Sequence, residues 1–133
     1  MPKRTCLAIV LAAGEGTRMK SAMPKVLHRV GGLPLIGHVL NAIEGMGATR
    51  VAVVLGANAE AVGAFVKTKA PHATLHEQRE RLGTAHAVLA AKAALAEPAD
   101  DVVVLYGDTP MVSADTLKKA RKAIAGGLDV AAV

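Results

Sequence analysis

Between residues 14 and 25 the chain sets two glycines, Gly14 and Gly16, one residue apart, and follows them with three cations, Arg18, Lys20 and Lys25. The glycines close an apolar run, Leu7 to Leu11, of the kind that forms a buried strand in a parallel sheet. Glycine lets the backbone take positive φ and lets a ligand come close to the peptide N–H groups. Free N–H groups beside fixed cations make a site for an anion, and one carrying several phosphates suits three cations best. Two familiar phosphate loops do not fit. A Walker loop needs Lys and Ser or Thr directly after its second glycine, where this chain has Thr17-Arg18. The dinucleotide fingerprint needs a third glycine where Met19 stands. Pro24 adds a second feature, because proline fixes φ, removes a donor and so holds the next residue, Lys25, at a defined place.

Asp108 follows a second apolar run, in Tyr106-Gly107-Asp108. A hard cation such as Mg²⁺ takes one or two carboxylates together with phosphate oxygens and water. A turn aspartate that caps its own backbone has the same sequence signature, and both readings stand at this point. Gln78, after a third short run, carries an amide that both donates and accepts. The five histidines show no metal-ligand spacing. His28, His38 and His86 read as packed or hydrogen-bonded residues, and His72 and His76 as surface.

Leu-Ala-Ala-Gly-x-Gly-Thr-Arg-Met, then Pro-Lys-Val-Leu-His, resembles the sugar-1-phosphate nucleotidyltransferases. Within that group the chain is most similar to the uridyltransferase domain of the bacterial bifunctional N-acetylglucosamine-1-phosphate uridyltransferase/glucosamine-1-phosphate acetyltransferases. Relatives acting on other sugars tend to carry Gly-Gly at Ala13-Gly14 and Leu at Met19. The resemblance implies that Leu11, Ala12, Ala13 and Gly14 line the substrate, and that Arg18 and Lys25 meet the nucleotide phosphates as catalytic cations. Lys20 stays a solvated residue.

Leu105 to Pro110 fits the family motif Leu-Tyr-Gly-Asp-x-Pro, which makes Asp108 the Mg²⁺ ligand and Tyr106 and Gly107 substrate neighbours. The family's partner ligand lies downstream of Val133. Gln78 to Thr84 fits Gln-x-x-x-Leu-Gly-Thr, the base-reading segment, with Gln78, Gly83 and Thr84 meeting uracil. Arg81 stands where relatives often carry glutamine.

These residues need a frame. Strands are expected at Cys6 to Leu11, Val51 to Leu55, Ala73 to Gln78 and Val102 to Tyr106, with Asp129 to Val133 beginning another. Pro34 suits the first turn of a helix whose inner face carries Leu35, Ile36, Val39, Leu40, Ile43 and Met46, stopped by Gly47. A short helix from Glu60 to Lys67 turns Val62, Phe65 and Val66 inward. An alanine-rich helix runs from Thr84, its expected N-cap, to about Ala96, and Ser113 or Asp115 caps another that ends near Ala125. This alternation gives an α/β, doubly wound, mostly parallel sheet, here a truncated Rossmann-like nucleotide-diphospho-sugar transferase. Ligands of such sheets bind beyond the carboxyl ends of the strands, where Gly14, Gln78 and Asp108 fall.

With 133 residues the chain reads as one domain, 1–133, the N-terminal nucleotide-binding part of a uridyltransferase domain, without an acetyltransferase domain. A net charge of +5 invites nucleic acid, yet the cations are dispersed and Phe65 and Tyr106 are the only aromatics, which leaves no stacking platform. The cluster Lys118, Lys119, Arg121 and Lys122 reads as a solvated helix face. There is no run of about 20 apolar residues for a membrane span, and the stretch beginning Met1-Pro2-Lys3-Arg4 shows neither the h-region nor the cleavage site expected of a signal peptide. The single Cys6 is expected to be a buried, inert thiol in a reducing cytoplasm. The resemblance implies a Mg²⁺-dependent transfer that joins UTP and N-acetylglucosamine 1-phosphate into UDP-N-acetylglucosamine and pyrophosphate, for cell-wall and lipopolysaccharide synthesis. Catalysis by these residues alone is expected to be impaired, and a trimer is expected only of the full-length family member. Transfer to another sugar or alditol phosphate, or non-catalytic nucleotide binding, are the alternatives.

Overall fold

The structure is a computed structural model that describes residues 4–14, 23–57, 59–80 and 82–132. Four strands form one parallel sheet: β1 (Cys6–Ala12), β4 (Arg50–Leu55), β5 (Thr74–Glu77) and β6 (Asp101–Tyr106). Their order is β5-β4-β1-β6. Val, Ile, Leu and Ala fill β1 because it is central and covered on both faces, and every one of its residues is buried. Ile9 sits between Ala52 of β4 and Val104 of β6.

Alternate residues of β1 face opposite layers. Ala8, Val10 and Ala12 pack under α1 (Leu35–Met46), α2 (Glu60–Lys69) and α5 (Ala114–Ala125), through Ile36, Val39, Ile43, Val62, Val66 and Leu117. Leu7, Ile9 and Leu11 pack against Ala87 and Ala91, at α3 (Thr84–Ala90) and its junction with α4 (Lys92–Leu95). The expected doubly wound sheet is therefore present, with helices on both faces.

Several expectations hold in detail. α1 carries Ile36, Val39, Leu40, Ile43 and Met46 inward, Leu35 being half-buried, and ends at Gly47 in the left-handed conformation (φ 81°). Ser113 caps α5, its side-chain oxygen accepting the Thr116 N–H at 3.2 Å. Cys6 is a free, buried thiol, and burial pushes it above the ordinary thiol range.

Others are corrected. The alanine-rich helix is two helices, broken at Ala91, whose small side chain is fully buried against the sheet. Gly83, not Thr84, stands at the N-cap, with φ 100° and no side-chain cap, and Thr84 is already helical. Residues 129–132 form no strand, since they have no hydrogen-bonded neighbour in the sheet. A turn at Gly31-Gly32 is present as its two glycines suggest, and it closes an unforeseen two-residue hairpin, β2 (Arg29–Val30) with β3 (Leu33–Pro34). His76 is half-buried rather than at the surface; its Nε2 lies 2.8 Å from Thr74 Oγ1, and desolvation lowers its pKa.

Arg121 does not belong to a solvated face. At the amino ends of β1 and β6, Asp101 is 5% exposed and lies between two guanidinium groups. Arg4 Nη2 is 2.6 Å from its Oδ1, and Arg121 Nε is 3.1 Å from its Oδ2. Arg121 also donates to the Arg4 carbonyl at 3.2 Å. The Arg4 hydrogen bond, then the Arg121 one, holds the Asp101 carboxyl below its usual range against the opposing effect of burial. This knot ties α5 and the segment before β1 to β6, at the end of the sheet opposite the candidate site.

Candidate active site

The strand order makes β1 the switch point. β4 and β5 lie on one side of it and β6 on the other, and beyond the carboxyl ends of the strands at such a point ligands of α/β sheets bind. A cavity of about 290 Å³ opens there. Its floor is the end of β1 and the residues beyond it, Leu11, Ala12, Ala13 and Gly14. One wall is Lys25 and Val26, another is Gln78 with Gly83, Thr84 and Ala87, and Tyr106 and Asp108 complete it.

Each wall has a local cause. Pro24 (φ −55°, ψ 142°) precedes a single 3₁₀ turn, Lys25–Leu27, in which Leu27 donates to the Pro24 carbonyl at 3.0 Å and His28 to that of Lys25 at 3.1 Å. Val26 anchors the turn in the core at 4% exposure, which sets the stem of Lys25 beside the crevice. Gly107 donates to the Leu11 carbonyl at 2.9 Å, extending the β1–β6 ladder by one bond and bringing Asp108 over the end of β1. Gln78 donates its backbone N–H to the Leu55 carbonyl at 2.7 Å and so extends the β4–β5 ladder in the same way. Gly56, after β4, meets the loop backbone closely: a Cβ there would stand 2.9 Å from the Ala13 carbonyl oxygen.

The polar groups are paired among themselves. Lys25 Nζ lies 2.8 Å from Asp108 Oδ2. Gln78 is buried, and its Nε2 lies 3.0 Å from His86 Nδ1. The Thr84 hydroxyl is 3.2 Å from the Tyr106 hydroxyl. The His28 ring does not join this network, and its Nε2 is buried without a hydrogen-bond partner. Gly83, at φ 100°, takes a backbone conformation that side chains rarely adopt, and so keeps the wall open between Gln78 and Thr84.

The structure thus brings to one cavity Leu11, Ala12, Ala13, Gly14, Lys25, Gln78, Gly83, Thr84, Tyr106 and Asp108, with Gly107 hydrogen-bonded to its floor. Arg18, Lys20 and Arg81 lie outside the described residues. Gly14 does not use a positive φ, and the space beside it is open. The pairings Lys25–Asp108 and Thr84–Tyr106 had no signal in the linear sequence, because each joins elements that only the fold makes neighbours, and Gln78–His86 depends on how the loop between β5 and α3 turns.

An ammonium, a partly exposed carboxylate and open backbone at strand ends are a donor set for phosphate oxygens and for one hard cation. Asp108 fits as a single carboxylate ligand to an ion whose remaining ligands are phosphate oxygens and water. No group of three His, Cys, Asp or Glu residues that could hold a metal by themselves occurs among the described residues.

A profile of the MobA-like NTP transferase domain matches residues 8–133. The bifunctional protein GlmU of Brucella anthropi is 53% identical over 133 residues, all of this chain but 29% of that protein. The crystal structure of Rv0371c from Mycobacterium tuberculosis superposes with a TM-score of 0.72 at 26% identity, over 95% of this chain and 63% of that one. Its complex with manganese gives 0.74 at 23%, over 92% and 60%. UDP-glucose pyrophosphorylase from Acinetobacter baumanii gives 0.76 at 21%, over 92% and 53%, a likeness of fold. Among the described residues no helix is long and apolar enough to cross a membrane. The chain belongs to the MobA-like NTP transferase domain family.

Proposed function

We propose that the cavity binds UTP and that the protein to which these residues belong joins it to N-acetylglucosamine 1-phosphate. The observation that supports this best is the meeting of Lys25, Asp108 and Gln78 in one cavity at the switch point, where nucleotides of α/β sheets bind. In the transfer an oxygen of the sugar phosphate attacks the α-phosphorus of UTP. The bond to the bridging oxygen breaks and pyrophosphate leaves, giving UDP-N-acetylglucosamine. The attacking oxygen is already an anion, so no residue of the chain acts as a general base. Lys25, with Arg18, neutralises phosphate charge, and the floor at Leu11 to Gly14 positions the nucleotide, which are the main tasks in such transfers. Asp108 would hold Mg²⁺, which when bound would neutralise phosphate oxygens further; the manganese complex of the Rv0371c neighbour supports a divalent ion in this fold.

The chain spans 29% of the length of the Brucella relative, so sugar recognition, pyrophosphate release, a reducing cytoplasm and any role in cell-wall or lipopolysaccharide synthesis belong to the whole protein as parts of this reading. The test is pyrophosphate release from UTP and Mg²⁺ with a panel of sugar and alditol phosphates, by a polypeptide that carries these residues and spans its relatives' length. Preference for N-acetylglucosamine 1-phosphate is the expected result. Preference for another acceptor would move the protein to a different nucleotidyltransferase activity, and nucleotide binding with no release for any acceptor would make it a binding protein.

A further inference from the structure

We propose that His86 is a positioning residue that locks the Gln78 side-chain amide and thereby sets the choice of uracil over cytosine. The inference rests on the reading of the cavity as a nucleotide site. Gln78 is 6% exposed and its backbone N–H is committed to Leu55. Its side-chain Nε2 lies 3.0 Å from His86 Nδ1. An amide nitrogen only donates, so Nδ1 carries the lone pair and the imidazole proton sits on Nε2. With one N–H of Nε2 engaged, the amide cannot turn over without losing that bond, so its carbonyl acceptor and its second N–H keep fixed places in the wall of the cavity that Gln78 lines.

An acceptor in the wall selects a base that donates toward it. The N3–H of uracil donates, whereas N3 of cytosine is an acceptor and would face the carbonyl lone pair to lone pair. A glutamine left to itself gives no such choice. Its terminal torsion is broad and close to two-fold, so a free amide turns over and presents N–H to cytosine as readily as C=O to uracil. The discrimination therefore belongs to the residue that fixes the amide. His86 is suited to that task because it sits on α3, which Ala87 and Ala91 seat on the sheet at 5% and 0% exposure. The Thr84–Tyr106 hydroxyl contact ties the start of the same helix to the end of β6.

Two measurements test this. In the ¹⁵N spectrum of the imidazole, His86 should show an unprotonated Nδ1 that accepts from the Gln78 side chain, with the proton on Nε2. A protonated Nδ1 would overturn the proposal without recourse to any variant. In calorimetric titrations with Mg²⁺, the unaltered chain should bind UTP about ten-fold more tightly than CTP. His86→Leu removes the acceptor and should bring that ratio down several-fold toward one. His86→Asn can place its carbonyl oxygen where Nδ1 lies and should keep the ratio. An unchanged ratio in His86→Leu overturns the role of His86 while leaving base reading by Gln78 intact. Equal binding of UTP and CTP by the unaltered chain would instead remove the base-reading assignment itself, and the proposal with it.

Discussion

The Lys25 ammonium and the Asp108 carboxylate lie 2.8 Å apart, joining the 3₁₀ turn that follows the first strand's loop to the loop that follows the last strand. The two side chains are 44% and 30% exposed, so water screens the pair and its contribution to folding is at most about 1 kcal/mol. Its significance is chemical. The cation proposed for phosphate and the carboxylate proposed for metal hold each other in place, in the cavity where both would act.

Lys25→Met keeps the apolar stem and removes the charge. It should leave the melting temperature within a few degrees of the unaltered chain, because the lost pair is partly exposed. Affinity for UTP with Mg²⁺ should fall about ten-fold or more, since a hydrogen bond to a charged group contributes about 1.5–3 kcal/mol. Calorimetry and a thermal melt read the two effects separately. Unchanged affinity would return Lys25 to an ordinary loop cation.

Gly56→Ala tests the loop's support rather than its chemistry. The new Cβ would stand 2.9 Å from the Ala13 carbonyl oxygen, and backbone must move to admit it. A loss of about 1–3 kcal/mol in urea unfolding is expected, with UTP affinity reduced several-fold because Ala13 is displaced from the cavity floor. Stability and affinity both at unaltered values would show that the loop tolerates the shift.

Asp101 gives a prediction about acid. Its carboxyl is held below the ordinary value of 3.8 by Arg4 and then Arg121. A depressed folded-state value means that the unfolded chain binds the proton more readily. The stabilisation is therefore fully present above the ordinary value and is lost as pH falls below 3.8 through the folded-state one. Asp101→Asn should cost about 2 kcal/mol at neutral pH, discounted for the exposure of Arg4. The gap to the unaltered chain should narrow as the pH is taken down to about 3. Denaturant unfolding across that range checks it, and a gap constant with pH would mean that the knot acts through packing alone.

The layers of the fold were legible because they follow from period and punctuation. The all-apolar β1 marks a strand buried on both faces, the three- and four-residue spacing of α1 marks one inner face, and Gly47 marks its end. The carboxyl-end rule then placed Gly14, Gln78 and Asp108 at one site before any contact was known. What escaped lacks a local signal. The β2–β3 hairpin has two residues per strand, too few for alternation to show. A continuous alanine run carries no sign of the break at Ala91, which the sheet surface imposes. Asp129 to Val133 has strand composition, yet a strand needs a neighbour, and residues 129–132 have none in the sheet. Val130 is 81% exposed, as an apolar segment without a partner must be. Arg121 reads as one of four helix cations, and only the placement of Asp101 at the amino end of β6 turns it inward.

The most direct measurement is a calorimetric titration of the 133-residue chain with UTP, in Mg²⁺ and again with the metal chelated, for the unaltered protein and for Asp108→Asn. One site for nucleotide and metal predicts that UTP binds, that chelation weakens it at least several-fold, and that Asp108→Asn removes most of that metal dependence while leaving the fold intact by circular dichroism. UTP affinity equal with and without Mg²⁺, or a metal dependence undiminished in Asp108→Asn, would contradict it and leave Asp108 a turn residue paired with Lys25.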